Sequence, residues 1–281
     1  MKESLGILAG VAAALLWGTY MVPFKKSNSL NVIYYQCLMA FAILISGLIL
    51  TSILGFSITL NIYGVVSGLM WTIGNITALT AIANLGLSKA IPILTSLIII
   101  CSFLWGMLVF NELPAGFVMP LFGILLIIVG IVIVSTLGKS ESLNVKKGFV
   151  AAIISGLVYG SQLAPLKLGN LSNNQFFFPL CFGIFLSAIL IGLVKKVKIE
   201  KRLTVYGLLS GVIWNLGNLL SIFAISQLGL AKGFPIAQSA VLISTLWGIF
   251  YFREIRKPKE IIQVLFGAVV LLIGIVVLTQ S

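Results

Sequence analysis

Apolar residues run along this chain in long blocks, broken by short polar or basic stretches. Crossing the hydrocarbon of a bilayer takes about 20 apolar residues in a helix. Ten blocks reach that length, near residues 5–24, 32–53, 61–84, 88–110, 115–137, 148–168, 175–194, 204–227, 231–252 and 260–279. The connections are mostly short, so no soluble domain of any size fits between them. The pattern predicts an all-α integral membrane protein with ten transmembrane helices. The first block ends in "MVPFKK" without a small-x-small cleavage site, so it is expected to be a retained span rather than a cleaved signal.

The pattern is written twice. Tyr63–Leu87 reads "YGVVSGLMWTIGNITALTAIANLGL" and Tyr206–Leu230 reads "YGLLSGVIWNLGNLLSIFAISQLGL", with twelve of twenty-five positions identical. The match extends in both directions. "GTYMVPFK" (Gly18–Lys25) answers "GSQLAPLK" (Gly160–Lys167), and "LGLSKAIP" (Leu85–Pro92) answers "LGLAKGFP" (Leu228–Pro235). Each half then holds five spans, an odd number, so the second copy must enter the membrane from the opposite side. That is the inverted-topology repeat from which many secondary carriers are built. Residues 1–138 form the first five-helix repeat, 139–147 the linker and 148–281 the second repeat.

Composition agrees with a bilayer as solvent. The chain is 60% hydrophobic and 9% charged, with a mean hydropathy of +1.18, whereas soluble domains carry roughly a quarter charged residues. A formal net charge of +12 invites a nucleic-acid partner, but the basic residues lie in the loops. Sorted by side, three fall on one face (Lys2, Lys167, Lys232) and fifteen on the other. The richer side is cytoplasmic by the positive-inside rule, which places both termini outside a cell membrane. Cys37, Cys101 and Cys181 form no CxxC pair and there is no histidine, so neither a metal, a cofactor nor a disulfide framework is indicated. Intramembrane catalysis would need paired carboxylates, His ligands or a Ser/His pair, so an enzyme is not expected.

In the third span Gly64, Gly68, Trp71 and Asn75 share one helical face, and the eighth repeats them as Gly207, Gly211, Trp214 and Asn218. The glycines allow close helix approach. The indole and amide would line a central cavity suited to a polar, uncharged solute, with the ring plane offered to C–H faces and the amide to hydroxyls. The competing reading is that Asn75 and Asn218 hydrogen-bond across a helix interface while the rings merely pack. Trp17 and Tyr159 are repeat mates and join the candidate substrate-binding set, as do Gln162 and Gln238; Thr95, Ser96 and Ser239 also face this way. Pro23 and Pro165 could serve a moving gate or a fixed kink, since proline frees a carbonyl and bends a span. Pro92 and Pro235 are expected in the first turns of the fourth and ninth spans. Tyr34, Tyr35, Phe176–Phe178 and Tyr251 are expected in an interfacial aromatic belt. Glu112 and Glu254, mates at span ends, are candidates for coupling to protons or sodium, or for end-of-helix hydrogen bonds.

"WGTYMVPFKK" (Trp17–Lys26) and "MWTIGNI" (Met70–Ile76) resemble the matching segments of the glucose/ribose porter family, within the drug/metabolite transporter superfamily. The resemblance spans essentially the whole chain. It implies carbohydrate transport, in the direction of uptake, by alternating access; it does not fix the sugar and supplies no binding residue beyond the matched motifs. Members of the wider superfamily are often drawn with termini inside the cell, against the charge count here. The second function weighed is export of amino acids or other small metabolites on the same scaffold.

Overall fold

The computed structural model describes residues 2–111, 118–135 and 144–280. Among them the regular elements are helical. They are α1 (Lys2–Trp17), α2 (Val22–Ser27), α3 (Val32–Leu54), α4 (Ile62–Leu85), α5 (Leu87–Leu108), α6 (Val118–Ser135), α7 (Val145–Ser161), α8 (Ala164–Leu168), α9 (Asn173–Val194), α10 (Thr204–Leu228), α11 (Leu230–Gln238), α12 (Ala240–Leu246) and α13 (Pro258–Gln280). Nine spans among the described residues are long and apolar enough to cross a bilayer, counting α1–α2 and α7–α8 as one each; α6 supplies a shorter tenth apolar helix. Glu112 and most of the expected linker lie outside the described residues.

Local chemistry sets the breaks. Asn61 caps α4 by accepting the Gly64 amide at 2.8 Å, and Ser172 with Gln175 forms a capping box on α9. α4 and α10 end at Gly86 and Gly229, whose φ values of 82° and 81° favour glycine. The next helix therefore starts at once. As a result Pro92 and Pro235 are not in first turns; each is the sixth residue inside its helix, α5 or α11. Ser96 Oγ donates to the Pro92 carbonyl at 2.7 Å.

Contacts between the two halves are reciprocal. α1 packs on α10 and α7 on α4; α3 packs on α10 and α9 on α4. The glycines permit this. A Cβ on Gly68 would lie 2.5 Å from the Ile184 amide nitrogen of α9, and one on Gly211 2.4 Å from the Met39 carbonyl oxygen of α3. Helices α6 and α13 pair with each other at the flank. Large apolar side chains such as Leu8, Ile53 and Val118 remain exposed on the outside, as a hydrocarbon surround requires. The expected aromatic belt is only partly on that surface. Tyr35 and Phe176–Phe178 are buried; Tyr35 bonds Ser210 Oγ at 2.6 Å and packs its ring on Phe24, and Phe177 packs on Phe56. Tyr251 is exposed.

Candidate functional site

Two spans are broken towards their C-terminal ends. α1 gives way to turns at 18–21 before α2, and α7 gives way at 162–163 before α8, with Pro23 and Pro165 in the first turn of the short helix that follows. Proline cannot donate to the preceding turn, and an unpaired carbonyl in hydrocarbon is costly. The opposite half supplies the missing donor on each side. Ser210 Oγ, on α10, donates to the Tyr20 carbonyl; its mate Ser67 Oγ, on α4, donates to the Gln162 carbonyl. Gln162 Nε2 returns a bond to Ser67 Oγ at 3.3 Å.

These breaks open onto a central cavity of about 50 Å³, room for a few water molecules. Trp17, Trp71, Tyr159, Gln162, Trp214 and Gln238 line it, together with Thr95, so most of the residues singled out in the sequence converge here. Tyr20, Phe234 and Ser244 line it as well and were not singled out. Tyr20 had a readable signal, being the repeat mate of Gln162. Phe234 and Ser244 had none, since they sit among apolar positions on α11 and α12. Every lining side chain among the described residues is neutral.

The rings lie against one another. Trp71 and Trp214 have centroids 4.2 Å apart, Trp17 stacks on Trp214 at 6.4 Å, and Tyr159 lies 6.2 Å from Trp71. Much of the ring surface is thereby covered by other rings rather than offered to a solute. The Trp17 indole N–H donates to the Trp214 carbonyl at 3.2 Å.

Asn75 and Asn218 are buried but are not among the cavity-lining residues. Asn75 is the centre of a network behind the wall. Its Oδ1 accepts from Tyr159 Oη at 2.8 Å and from Tyr20 Oη at 3.5 Å, while its Nδ2 donates to Gln36 Oε1. Asn218 differs, for its Nδ2 has no hydrogen-bond partner. The reason is local. Asn75 Nδ2 meets the Gln36 Oε1 acceptor, and among the described residues no acceptor takes that place beside Asn218 Nδ2.

Glu254 is not among the cavity-lining residues. Its Oε1 accepts the Leu87 amide and its Oε2 the Ser88 amide, both at 2.8 Å, at the first turn of α5. Lys25 Nζ lies 3.2 Å from Oε1. Ser96 and Ser239 direct their hydroxyls to backbone carbonyls of their own helices. No group of three or more His, Cys, Asp or Glu side chains suited to hold a metal occurs among the described residues.

Among the described residues, nine long apolar helices and a shorter tenth surround a neutral aromatic cavity, the build of a multi-pass membrane protein. The chain belongs to the Sugar transport protein family, whose match covers residues 8–280. It is similar to the glucose uptake protein GlcU of Bacillus subtilis, 28% identical over 98% of both chains. A putative sugar uptake protein of Bacillus anthracis is 26% identical over 99% of both, and a probable glucose uptake protein GlcU of Priestia megaterium is 30% identical over 76% of this chain and 77% of that one. One crystal structure superimposes with a TM-score of 0.67 at 13% identity, covering 98% of this chain and 96% of the other, a likeness of fold alone.

Proposed function

We propose that this chain is a secondary transporter that carries a small neutral carbohydrate, glucose-like in size, by alternating access and in the direction of uptake. The observation that carries the reading is the central cavity, which both halves build from aromatic and uncharged polar side chains. Such a lining suits a solute with C–H faces and hydroxyls and offers no counter-charge to an ion. The names of the relatives point the same way. The reciprocal helix pairing supports two halves of inverted topology, and the basic-residue asymmetry supports termini outside the cell.

At about 50 Å³ the cavity is smaller than a hexose. Admission of a sugar therefore needs the walls to part. The broken spans at 18–21 and 162–163 are where bending costs least, and Pro23 and Pro165 mark those joints. Uptake of labelled hexoses into proteoliposomes tests the reading, with and without an imposed proton or sodium gradient. Saturable glucose flux is expected, and accumulation against a gradient would assign coupling. No flux of any sugar through folded protein would transfer the assignment to an exporter of amino acids or other metabolites.

A further inference from the structure

The polar groups around the cavity divide into two sets. In one set the hydrogen-bonding protons are already engaged by the protein. Tyr159 and Tyr20 donate to Asn75 Oδ1, Trp17 donates to the Trp214 carbonyl, Gln162 to Ser67 and Ser244 to the Gly18 carbonyl. In the other set no hydrogen bond within the described residues engages the side chain. That set is the indole N–H groups of Trp71 and Trp214 and the side chains of Thr95 and Gln238. These are two pairs of repeat mates, Trp71 with Trp214 and Thr95 with Gln238, one member from each half. All four residues are more than nine-tenths buried.

An indole nitrogen is a donor only. Trp71 and Trp214 both line the cavity, so an acceptor on a solute held there can take either N–H. The ring surfaces of these two tryptophans are turned on each other and on Trp17 and Tyr159, which leaves the N–H edge as the feature available to a solute. We propose that Trp71 and Trp214 set the specificity of the carrier by donating indole N–H hydrogen bonds to hydroxyl or ring oxygens of the sugar, rather than by stacking on its C–H faces. Thr95 and Gln238 then complete the pattern with groups able both to donate and to accept. Asn75 acts one layer back, as a positioning residue that points the protons of Tyr20 and Tyr159 away from the solute. This inference rests on the sugar-carrier reading.

Deoxy and deoxyfluoro sugars test it. Fluorine retains an acceptor but cannot donate, and a deoxy position does neither. Initial rates are measured in proteoliposomes for glucose and for its deoxy and deoxyfluoro analogues at each hydroxyl. The proteins are the wild type, Trp71→Phe, Trp214→Phe, and chains with benzothienylalanine at position 71 or 214, which keeps the bicyclic shape without the N–H. In the wild type, at least one deoxy analogue should show KM raised about tenfold, the size of one hydrogen bond, while the fluoro analogue at that position stays near glucose. The benzothienyl chain should lose that discrimination, with glucose itself falling to the level of the deoxy sugar. An unchanged deoxy-to-glucose ratio in the benzothienyl chains, or an equal loss for every sugar in the panel, would overturn the donor role while leaving sugar transport intact. Absence of glucose flux in the wild type would overturn the carrier reading and this inference with it.

Discussion

Lys25 Nζ and Glu254 Oε1 lie 3.2 Å apart, joining the end of α2 to the segment that follows α12. The same carboxylate closes the first turn of α5 through the amides of Leu87 and Ser88. Three segments from both halves therefore meet at one side chain.

Removing that carboxylate should uncap α5. Glu254→Ala is expected to cost about 1–2 kcal/mol of stability, measured by thermal unfolding in detergent. The exchanged pair Lys25→Glu with Glu254→Lys should not recover it, because a lysine cannot accept the two amides. Recovery in the exchanged protein would mean that the ion pair matters and the cap does not.

The two asparagines should behave unequally. Asn75→Ala leaves the hydroxyls of Tyr20 and Tyr159 without their acceptor, and a loss of about 2 kcal/mol or more is expected. Asn218→Ala deletes an Nδ2 that has no partner, so its cost should stay below about 1 kcal/mol. Equal melting shifts would refute this asymmetry.

Gly68→Ala and Gly211→Ala place a methyl against backbone atoms of the facing helix. Backbone cannot rotate aside as a flexible side chain can. Each substitution should destabilise by about 1–3 kcal/mol, and folded yield should fall with it. A wild-type melting temperature in either variant would show that α4 and α9, or α10 and α3, can separate freely.

Ser67→Ala and Ser210→Ala each leave the carbonyl at a span break without its side-chain donor. About 1–2 kcal/mol is expected for each. Cysteine at the same positions should be intermediate, as a weaker donor. Melting curves that do not distinguish serine, cysteine and alanine would count against a role for these bonds.

Much of the architecture was legible in the residues because it depends on block length and on a match between halves. The face carrying Trp71 and Trp214 could be placed by counting around a helix. The division of labour at the site was not legible. Asn75 was read either as a cavity residue or as a hydrogen bond across a helix interface; its partners Tyr20 and Gln36 come from other segments, and helical periodicity says nothing about which groups meet across a bundle. Tyr35 looked like an interfacial aromatic because it follows a loop; the Ser210 hydroxyl that draws it inward lies 175 positions away. Pro92 was misplaced by one turn because the left-handed Gly86 lets α5 begin earlier than its hydrophobic block suggests.

Ser210 and Ser67 each hold the joint of the half to which they do not belong. A gene cut between the halves would yield two fragments, each with an orphaned carbonyl in the lipid interior. Such fragments would fold well only on meeting each other. Co-expressed half-chains should therefore reassemble, while either one made alone should be a substrate for membrane quality control.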